Sequence, residues 1–338
     1  MPAQTSTAAP SPAFIELFRA RTDANGQMRF DQFMALALYD PRLGYYRQPR
    51  RRTGCGAGTD FFTSSTSGPV FGELVCAAAQ TLLAEKGGRA ADYVFVEIGA
   101  EPDGGGVLAG ARHPFGGART IRAGEAIALD GNCVVFSNEL FDAQPFRRFV
   151  FRDGAWRELG VALEGRELRE VVLPDAPADD EAARVLPPDA PEGWHLDLPF
   201  ASVALAREIA AQPWRGLFLA CDYGKSWREL IEAAPAGTAR AYHRHTQTND
   251  LLARPGEQDL TCHVCWDWLA GALARGNFTS VNVESQEAFF MRHAAGYLAP
   301  AIADTANSAR RRSLAQLLHP AHLGRSFQAL RGRRDDSR

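Results

Sequence analysis

Residues 133–145 read Cys-Val-Val-Phe-Ser-Asn-Glu-Leu-Phe-Asp-Ala-Gln-Pro. The first four residues are apolar and partly β-branched, which predicts a buried parallel strand. Polar groups then crowd the carboxyl end of that strand: Ser137, Asn138, Glu139 and Asp142. Open α/β sheets bind their ligands at this end of the strands, so we expect a functional site here.

Two further apolar runs repeat this design. Residues 93–100 end in Glu97-Ile98-Gly99-Ala100, and residues 217–224 end in Cys221-Asp222-Tyr223-Gly224. Three strands that finish in acidic residues with Gly or Asn predict one edge of a nucleotide-type pocket. The alternative is the ordinary change in polarity from strand to loop.

Composition narrows the class of protein. The 338 residues are 46% hydrophobic and carry a net charge of −3, which indicates a globular protein and favours neither nucleic acid nor an anionic membrane as partner. The order of the predicted helices and strands argues for one α/β domain with an insertion. No apolar run approaches the roughly 18 residues of a membrane span, and the amino terminus lacks a basic start before an apolar block. We therefore expect a cytoplasmic protein, and a homo-oligomer stays open. A protein substrate is what the family resemblance described below implies.

The six cysteines are scattered, as is typical of a reducing compartment. Cys133 and Cys221 lie in apolar strands and are predicted to be core residues. Cys262, His263 and Cys265 suggest a metal site, but a structural zinc site needs a second spaced pair of ligands. We predict no metal.

The chain divides into four predicted parts. Residues 1–13 are expected to be disordered, 14–90 to form a helical region that packs on the core, 91–300 to form a Rossmann-like core, and 301–338 to form a helix and a basic tail. The core carries a β-rich insertion at about 146–195, where Asp153-Gly154 and Glu164-Gly165 indicate hairpin turns.

Local patterns predict the individual elements. Helices are expected at 14–38, in two parts ending before Pro41, and at 71–83, 198–211 and 264–273, and the last of these follows a capping residue within 259–261. A final helix should contain Leu314, Leu317 and Leu318. Strands are expected at 217–222 and 238–245, and an exposed loop at 175–191.

Several motifs follow one another in order along most of the chain. They are Tyr39-Asp40-Pro41, Gly44-Tyr45-Tyr46, Asp60-Phe61-Phe62-Thr63-Ser64, Glu97-Ile98-Gly99-Ala100, Asn138-Glu139-Leu140-Phe141-Asp142, Asp222-Tyr223-Gly224 and Arg254-Pro255-Gly256-Glu257-Gln258-Asp259-Leu260-Thr261. In this order they resemble the MidA-type methyltransferase family, which includes the mitochondrial complex I assembly methyltransferase that modifies a protein arginine. The resemblance implies a class I, Rossmann-like fold and S-adenosylmethionine as cofactor.

The resemblance also implies roles for the residues of these motifs. The predicted catalytic residues are Glu139, Asn138 and Asp142. Carboxylates bind a guanidinium through paired hydrogen bonds, and an amide can orient a ligand. The predicted cofactor-binding residues are Glu97, Gly99, Ala100, Thr63, Ser64, Asp60 and Ser137. The predicted substrate-binding residues are Asp222, Tyr223, Gly224, Glu257 and Asp259. Glu139 could instead be a helix-start carboxylate, and Thr63 and Ser64 could instead cap a helix.

The cofactor loop departs from the family pattern. Family members read Glu-x-Gly-x-Gly-x-Gly, whereas Glu101 and Asp103 stand here in place of two glycines. Glu97 and Asn138 are 41 positions apart, and a strand-helix-strand crossover needs about 30 residues, so at most one fits. The fold is therefore predicted to be truncated after its first strand. The strand whose acidic residue would bind the ribose hydroxyls is expected to be missing or reduced to residues 120–122, with Glu125 a poor substitute.

Two hypotheses of different class follow. The first is an S-adenosylmethionine-dependent methyltransferase that N-methylates a protein arginine. The second is a catalytically inactive relative that serves as a binding or assembly module. The intact motifs at Asn138-Glu139 and Asp222-Tyr223-Gly224 favour the enzyme, and the altered loop favours the module.

Overall fold

A computed structural model describes residues 9–48, 52, 59–60, 68–100, 106–174 and 180–335 of the chain. The helices are α1 (Pro12–Arg19), α2 (Phe30–Tyr39), α3 (Pro69–Ala84), α4 (Phe200–Ala211), α5 (Trp227–Ala233), α6 (Trp266–Arg275), α7 (Gln286–His293), α8 (Ala295–Ala303), α9 (Ser308–Leu318) and α10 (Leu323–Ser326). Of the predicted disordered residues 1–13, residues 1–8 lie outside the described residues, as do Thr63 and Ser64 with their predicted roles. The prediction is wrong for the end of this segment, because α1 begins at Pro12 and the Ser11 side chain caps it by accepting from Phe14 N.

The described residues contain sixteen strands. They are β1 (Gln27–Arg29), β2 (Val94–Ile98), β3 (Gly117–Ile121), β4 (Gly131–Asn138), β5 (Arg147–Arg152), β6 (Ala155–Glu164), β7 (Glu167–Val172), β8 (His195–Leu198), β9 (Trp214–Asp222), β10 (Gly224–Lys225), β11 (Arg240–His243), β12 (Thr246–Thr248), β13 (Asp259–Thr261), β14 (Val264–Cys265), β15 (Thr279–Ser285) and β16 (Gln328–Arg334).

The central sheet has the strand order β15-β16-β9-β4-β2-β3. Strands β3, β2, β4 and β9 run parallel, and β16 is antiparallel to both β9 and β15. Helices cover both faces. Val134 and Phe136 of β4 pack in the core of α3, α7 and α9, whereas Cys133 and Val135 pack with α4 and α6. Burial on both faces explains the continuous apolar run in the sequence, and the predicted α/β class is confirmed.

A second, antiparallel sheet is inserted after β4. It has the order β1-β6-β5-β8, with β7 also paired to β6. Both predicted hairpin turns are present, with φ of 53° at Asp153, 72° at Gly154 and 63° at Gly165. Strand β1, which comes from the amino-terminal region, was not predicted. It ties that region directly to the insertion.

The carboxyl-terminal segment contradicts its prediction. The helix containing Leu314 and Leu317 is present as α9, but 328–334 is not a basic tail: it is β16, a strand inside the central sheet. Its arginines reach the carboxyl ends of helices, since Arg334 Nη1 donates to Ala210 O of α4 at 2.6 Å and Arg333 Nη1 to Leu82 O of α3 at 3.4 Å. Cations at helix carboxyl termini are stabilised by the helix dipole, so a strand can carry them here.

Three smaller predictions also change. The strand beyond β2 is not missing: β3 pairs with β2 over its whole length, although none of its residues is acidic. Residues 259–261 form β13 rather than a capping turn, and α6 begins at Trp266 without a side-chain cap. Leu198 ends β8, so α4 begins at Phe200. In each case pairing with a distant strand overrides the local signal.

No helix within the described ranges is long and apolar enough to cross a bilayer.

Candidate active site

The carboxyl ends of β2, β4 and β9 meet along one side of the central sheet, called here the carboxyl edge. The backbone N–H of Glu139 donates to Cys221 O at 2.9 Å, which joins the ends of β4 and β9. Gly99 N donates to Ile121 O at 2.8 Å, which joins the ends of β2 and β3. The predicted groups after β2, β4 and β9 are therefore brought together, as parallel pairing requires.

Asp222 organises the turn that follows β4. Its Oδ2 accepts hydrogen bonds from Phe141 N at 2.9 Å and Asp142 N at 3.3 Å, and its Oδ1 accepts one from Tyr223 N at 2.9 Å. Asp222 is fully buried, and burial together with the nearby Asp142 raises its pKa well above the usual range. Asp222 thus holds the turn after β4 in place through backbone N–H groups, and its predicted contact with substrate stays a prediction.

Glu139 lies in the left-handed region, with φ of 50°. Residues 139–145 form a turn, so the alternative of a helix-start carboxylate is wrong. Asn138 Nδ2 donates to Glu139 Oε1 at 2.9 Å, and both residues are half-buried. This strained backbone points to a functional constraint, because a non-glycine residue rarely adopts it.

Three polar atoms at this edge are buried without a hydrogen-bond partner among the described residues: Ser137 Oγ, Asn138 Oδ1 and Asp142 Oδ1. Burial raises the Asp142 pKa to about 6, although a hydrogen bond from the Tyr223 hydroxyl opposes this shift. Buried polar groups are normally paired, so this concentration of unpaired atoms is typical of a ligand site.

Tyrosine rings flank these carboxyl groups. Tyr46 donates its hydroxyl to Asp259 Oδ1 at 2.8 Å and stacks on Tyr39, with ring centroids 5.6 Å apart. Tyr39 donates to Ala143 O at 2.9 Å, next to Asp142. We call Glu139, Asp142, Asp222 and Asp259 the acidic cluster. The two tyrosines were not predicted as site residues, although both lie in the quoted motifs.

Glu97 lies in β2, near its carboxyl end. It is buried, its Oε2 accepts a hydrogen bond from Val107 N at 2.6 Å, and desolvation raises its pKa to about 7. Gly99 has φ of 86°, and an added Cβ would press on Leu140 Cδ1. The Leu140 side chain therefore lies over Gly99. Ala100 is buried beside them.

The remaining predicted residues lie around this centre. Asp60 accepts hydrogen bonds from Tyr45 Oη at 2.7 Å and from Arg244 N at 2.9 Å, and these bonds connect it to two other segments of the chain. Gly224 pairs with β14, where an added Cβ would overlap Val264 O. Glu257 is exposed in a turn. Binding roles for these three residues stay predictions.

His263 is an additional titratable group next to the acidic cluster. Its ring contacts Tyr223 edge-on at 5.6 Å, and burial lowers its pKa to about 4. It is therefore neutral at physiological pH. The sequence suggested this residue only as a metal ligand.

Comparisons with known proteins agree with this geometry. Residues 120–283 match the model of a family described as "Putative S-adenosyl-L-methionine-dependent methyltransferase". A crystal structure from Burkholderia thailandensis, of a protein bound to S-adenosyl-homocysteine, has a TM-score of 0.82 and 24% identity over 96% of this chain and 93% of that chain. A native crystal structure from the same organism has a TM-score of 0.79 and 23% identity over 96% and 93%. No curated protein matches the sequence.

The chain is thus an α/β protein with the fold of an S-adenosylmethionine-dependent methyltransferase. The predicted cofactor, S-adenosylmethionine, is the one named in the description of the matched family. That description does not use the narrower MidA-type name.

Proposed function

We propose that this chain is a MidA-type methyltransferase that transfers a methyl group from S-adenosylmethionine to an arginine side chain of a protein. The observation that carries the proposal is the buried Asp142 Oδ1, which has no hydrogen-bond partner among the described residues and lies within the acidic cluster, beside Tyr223 and close to Tyr39. A cationic ligand with N–H groups would give this oxygen a partner and offset the cost of burying the carboxylate.

The cofactor fits the other half of the edge. Gly99, Ala100 and the unpaired Ser137 Oγ and Asn138 Oδ1 lie where the parallel strands end, and S-adenosylmethionine carries hydroxyl, ammonium and carboxylate groups that can satisfy such atoms. When bound, the cofactor supplies an electrophilic methyl group on its sulfonium.

An arginine side chain as methyl acceptor suits the acidic cluster. A guanidinium presents five N–H donors in a fixed plane, which match the oxygens of Asp142 and Glu139, and its face stacks favourably on tyrosine rings. As the new N–C bond forms, one N–H proton must leave. Asp142 Oδ1 is the base that this geometry offers, because the raised pKa of about 6 makes the carboxylate a better proton acceptor than an exposed aspartate.

One observation favours the inactive module instead. Leu140 lies over Gly99, where the backbone of a cofactor loop would have to approach its ligand. Cofactor binding by the wild-type protein separates the two candidates.

The test is methyl transfer from radiolabelled S-adenosylmethionine to arginine-containing peptides, with lysine versions of the peptides as the acceptor control. Glu139→Gln keeps the shape of the side chain but removes its charge, so it should bind S-adenosylhomocysteine normally and lose at least about tenfold in kcat. Glu208→Gln on the exposed face of α4 is the matched control and should behave as wild type. Unchanged turnover in Glu139→Gln would remove Glu139 from the mechanism, and transfer to the lysine peptides alone would exclude the arginine acceptor.

A further inference from the structure

Helix α8 exposes a face that carries no polar side chain. Its nine residues contain no charged side chain and one hydroxyl, that of Tyr297, yet only Leu298 and Ala301 are buried. A helix that is apolar on all sides is normally buried in a core or in a membrane. We call the exposed positions of α8 the outer face: Ala295, Gly296, Ala299, Pro300, Ile302 and Ala303.

Two large aliphatic side chains are exposed at the two ends of this helix. Ile302, on the outer face, is 52% exposed, and Met291, in the last turn of α7 just before α8, is 53% exposed. Elsewhere in the described ranges only Val94 and Val172 are large apolar side chains with comparable exposure. Such a concentration at one short helix is typical of a surface that binds a partner or a bilayer.

Glu73 of α3 holds α8 and α9 side by side. Its Oε2 accepts a hydrogen bond from Tyr297 Oη and forms an ion pair with Arg310 Nη2 at 3.3 Å. The Arg310 guanidinium also lies over the Tyr297 ring, 6.0 Å from the ring centroid. The first turn of α9 is therefore fixed directly beside α8.

The next two arginines of α9 border the outer face. Arg311 and Arg312 are exposed, and within the described part of the chain their side chains make neither a hydrogen bond nor an ion pair. The net charge of −3 averages over an uneven distribution, because residues 286–326 contain five arginines and only two acidic residues, Glu287 and Asp304. Cations beside an apolar helix are complementary to an anionic surface.

The chemistry of the outer face favours a lipid surface over a protein as its occupant. Protein interfaces carry about one hydrogen bond per 100–200 Å², and the outer face has no side chain that can make one. A second copy of the chain would bring Arg311 and Arg312 of both copies into one interface, where like charges repel. Aliphatic side chains next to arginines match an interfacial helix, whose apolar residues enter the acyl boundary while its cations stay at the phosphates.

We propose that the outer face of α8 binds an anionic lipid bilayer, with Ile302 and Met291 inserted at the acyl boundary and Arg311 and Arg312 against the lipid phosphates. The attachment is peripheral, because a helix of nine residues is about 13 Å long and the hydrocarbon core is about 30 Å thick. This inference departs from the expectation that the net charge alone gave. It does not depend on the proposed function, because neither a cofactor nor a methyl acceptor takes part in it.

Vesicle flotation of the full chain tests the proposal. Wild type should bind vesicles of phosphatidylcholine with about one third phosphatidylglycerol, and should bind pure phosphatidylcholine vesicles at least about tenfold more weakly. Salt at about 1 M should also weaken binding, because the Debye length falls to about 3 Å. Flotation is measured without S-adenosylmethionine, so its result and that of the methyl-transfer assay are independent.

The double variant Arg311→Gln/Arg312→Gln tests the two cations. An arginine near an anionic membrane contributes about 1 kcal/mol, or about fivefold in affinity, so the double variant should bind about 25-fold more weakly. Arg166→Gln/Arg207→Gln removes the same charge at two exposed arginines elsewhere and should bind as wild type does. Equal losses in the two double variants would show that net charge alone drives binding and would overturn the proposed site.

The variant Ile302→Ser tests insertion into the bilayer. It should bind the mixed vesicles at least about tenfold more weakly, whereas Val172→Ser on β7, where the side chain is 38% exposed, should bind as wild type does. An environment-sensitive dye attached to Ile302→Cys should shift to the blue on mixed vesicles, and the same dye on Val172→Cys should not. Because both side chains are exposed, neither serine variant should lower the Tm appreciably.

Four results would contradict the inference. Wild type that does not float with the mixed vesicles has no lipid-binding face, and flotation without the dye shift excludes insertion at Ile302. Binding to polyglutamate without binding to vesicles would assign Arg311 and Arg312 to an acidic protein partner. A dimer that Ile302→Ser dissociates, again without vesicle binding, would assign the outer face to a second copy of the chain.

Discussion

Glu97, Asp142 and Asp222 are buried carboxyl groups at the end of three neighbouring strands. Desolvation raises the pKa of each, since burial disfavours the charged form. Asp222 offsets part of this cost with three backbone N–H donors, and Glu97 with one. Asp142 Oδ1 has no such partner in the described chain, which leaves this oxygen available for a ligand.

Glu97 makes stability depend on pH. Its pKa rises from 4.5 to about 7 on folding, so its contribution is fully present below about pH 4.5 and is lost as pH rises through about 7. We expect the wild-type protein to lose stability over this interval relative to Glu97→Gln, by an amount on the order of 3 kcal/mol. Urea unfolding at pH 4.5, 6 and 7.5 measures it, with the exposed Glu208→Gln as control. Parallel curves for wild type and Glu97→Gln would contradict the assignment.

Residue-scale prediction worked where the chemistry follows a strand. Asn138, Glu139 and Asp222 were expected together because the ends of parallel strands must meet. Tyr46 could not be placed in the same way, because its partner Asp259 is 213 positions away. The exposed position of Glu125 at the end of β3 depends on a turn that spacing alone does not reveal.

At the scale of elements, β16 is the clearest case of a strand that was predicted to be a tail. Leu330 is buried in this strand and packs with the core on the α6 face of the sheet. Leu330→Ala should cost about 2–5 kcal/mol, because it removes buried methyl groups between two paired strands. Ile302→Ala on α8, where the side chain is 52% exposed, should cost well under half of that. If chemical unfolding shows equally small losses of stability in Leu330→Ala and Ile302→Ala, residues 328–334 form a peripheral tail after all.

Helix α3 contacts the segment at Val107 through a glycine. A Cβ at Gly72 would overlap Val107 O, and Val107 N is the donor to Glu97. We expect Gly72→Ala to displace this segment, to cost about 1–3 kcal/mol and to weaken S-adenosylhomocysteine binding. Gly296→Ala on α8 meets no neighbour and should be neutral or slightly stabilising, since alanine favours helix. Thermal unfolding compares the stability of the two variants, and calorimetry compares their binding of S-adenosylhomocysteine. Identical stability and binding in both variants would exclude the contact between Gly72 and Val107.

Elements with a strong local signal were predictable, and elements fixed by distant pairing were not. Asp153-Gly154 and Glu164-Gly165 gave the hairpins of the insertion, and the apolar run 133–136 gave β4. Strand β16 was not predicted because three of its seven residues are arginines, and two of these, Arg333 and Arg334, find their partners at helix ends on the two faces of the sheet. Strand β1 was not predicted because its three residues are too few to show a hydrophobic periodicity.

At the scale of the whole molecule, the insertion and the amino-terminal region share one hydrophobic cluster and one sheet, because β1 pairs with β6. Phe30 of α2 stacks on Phe146, with ring centroids 5.1 Å apart, and Arg148 pairs with Asp197 at 2.5 Å within the insertion. Asp197 also accepts from Thr238 N and Ala239 N, which anchors the insertion to the segment before β11. This frame holds Tyr39 and Tyr46 against the acidic cluster.

The account requires that the carboxyl edge binds the methyl donor, and unfolding of the wild-type protein with S-adenosylhomocysteine tests this directly. Ligand at about 100 times its dissociation constant should stabilise the fold by about 2.7 kcal/mol, with a matching rise in Tm. Homocysteine, which lacks the adenosine moiety, serves as the control and should leave the Tm unchanged. Absence of any shift at millimolar S-adenosylhomocysteine would contradict the enzyme and leave the binding module.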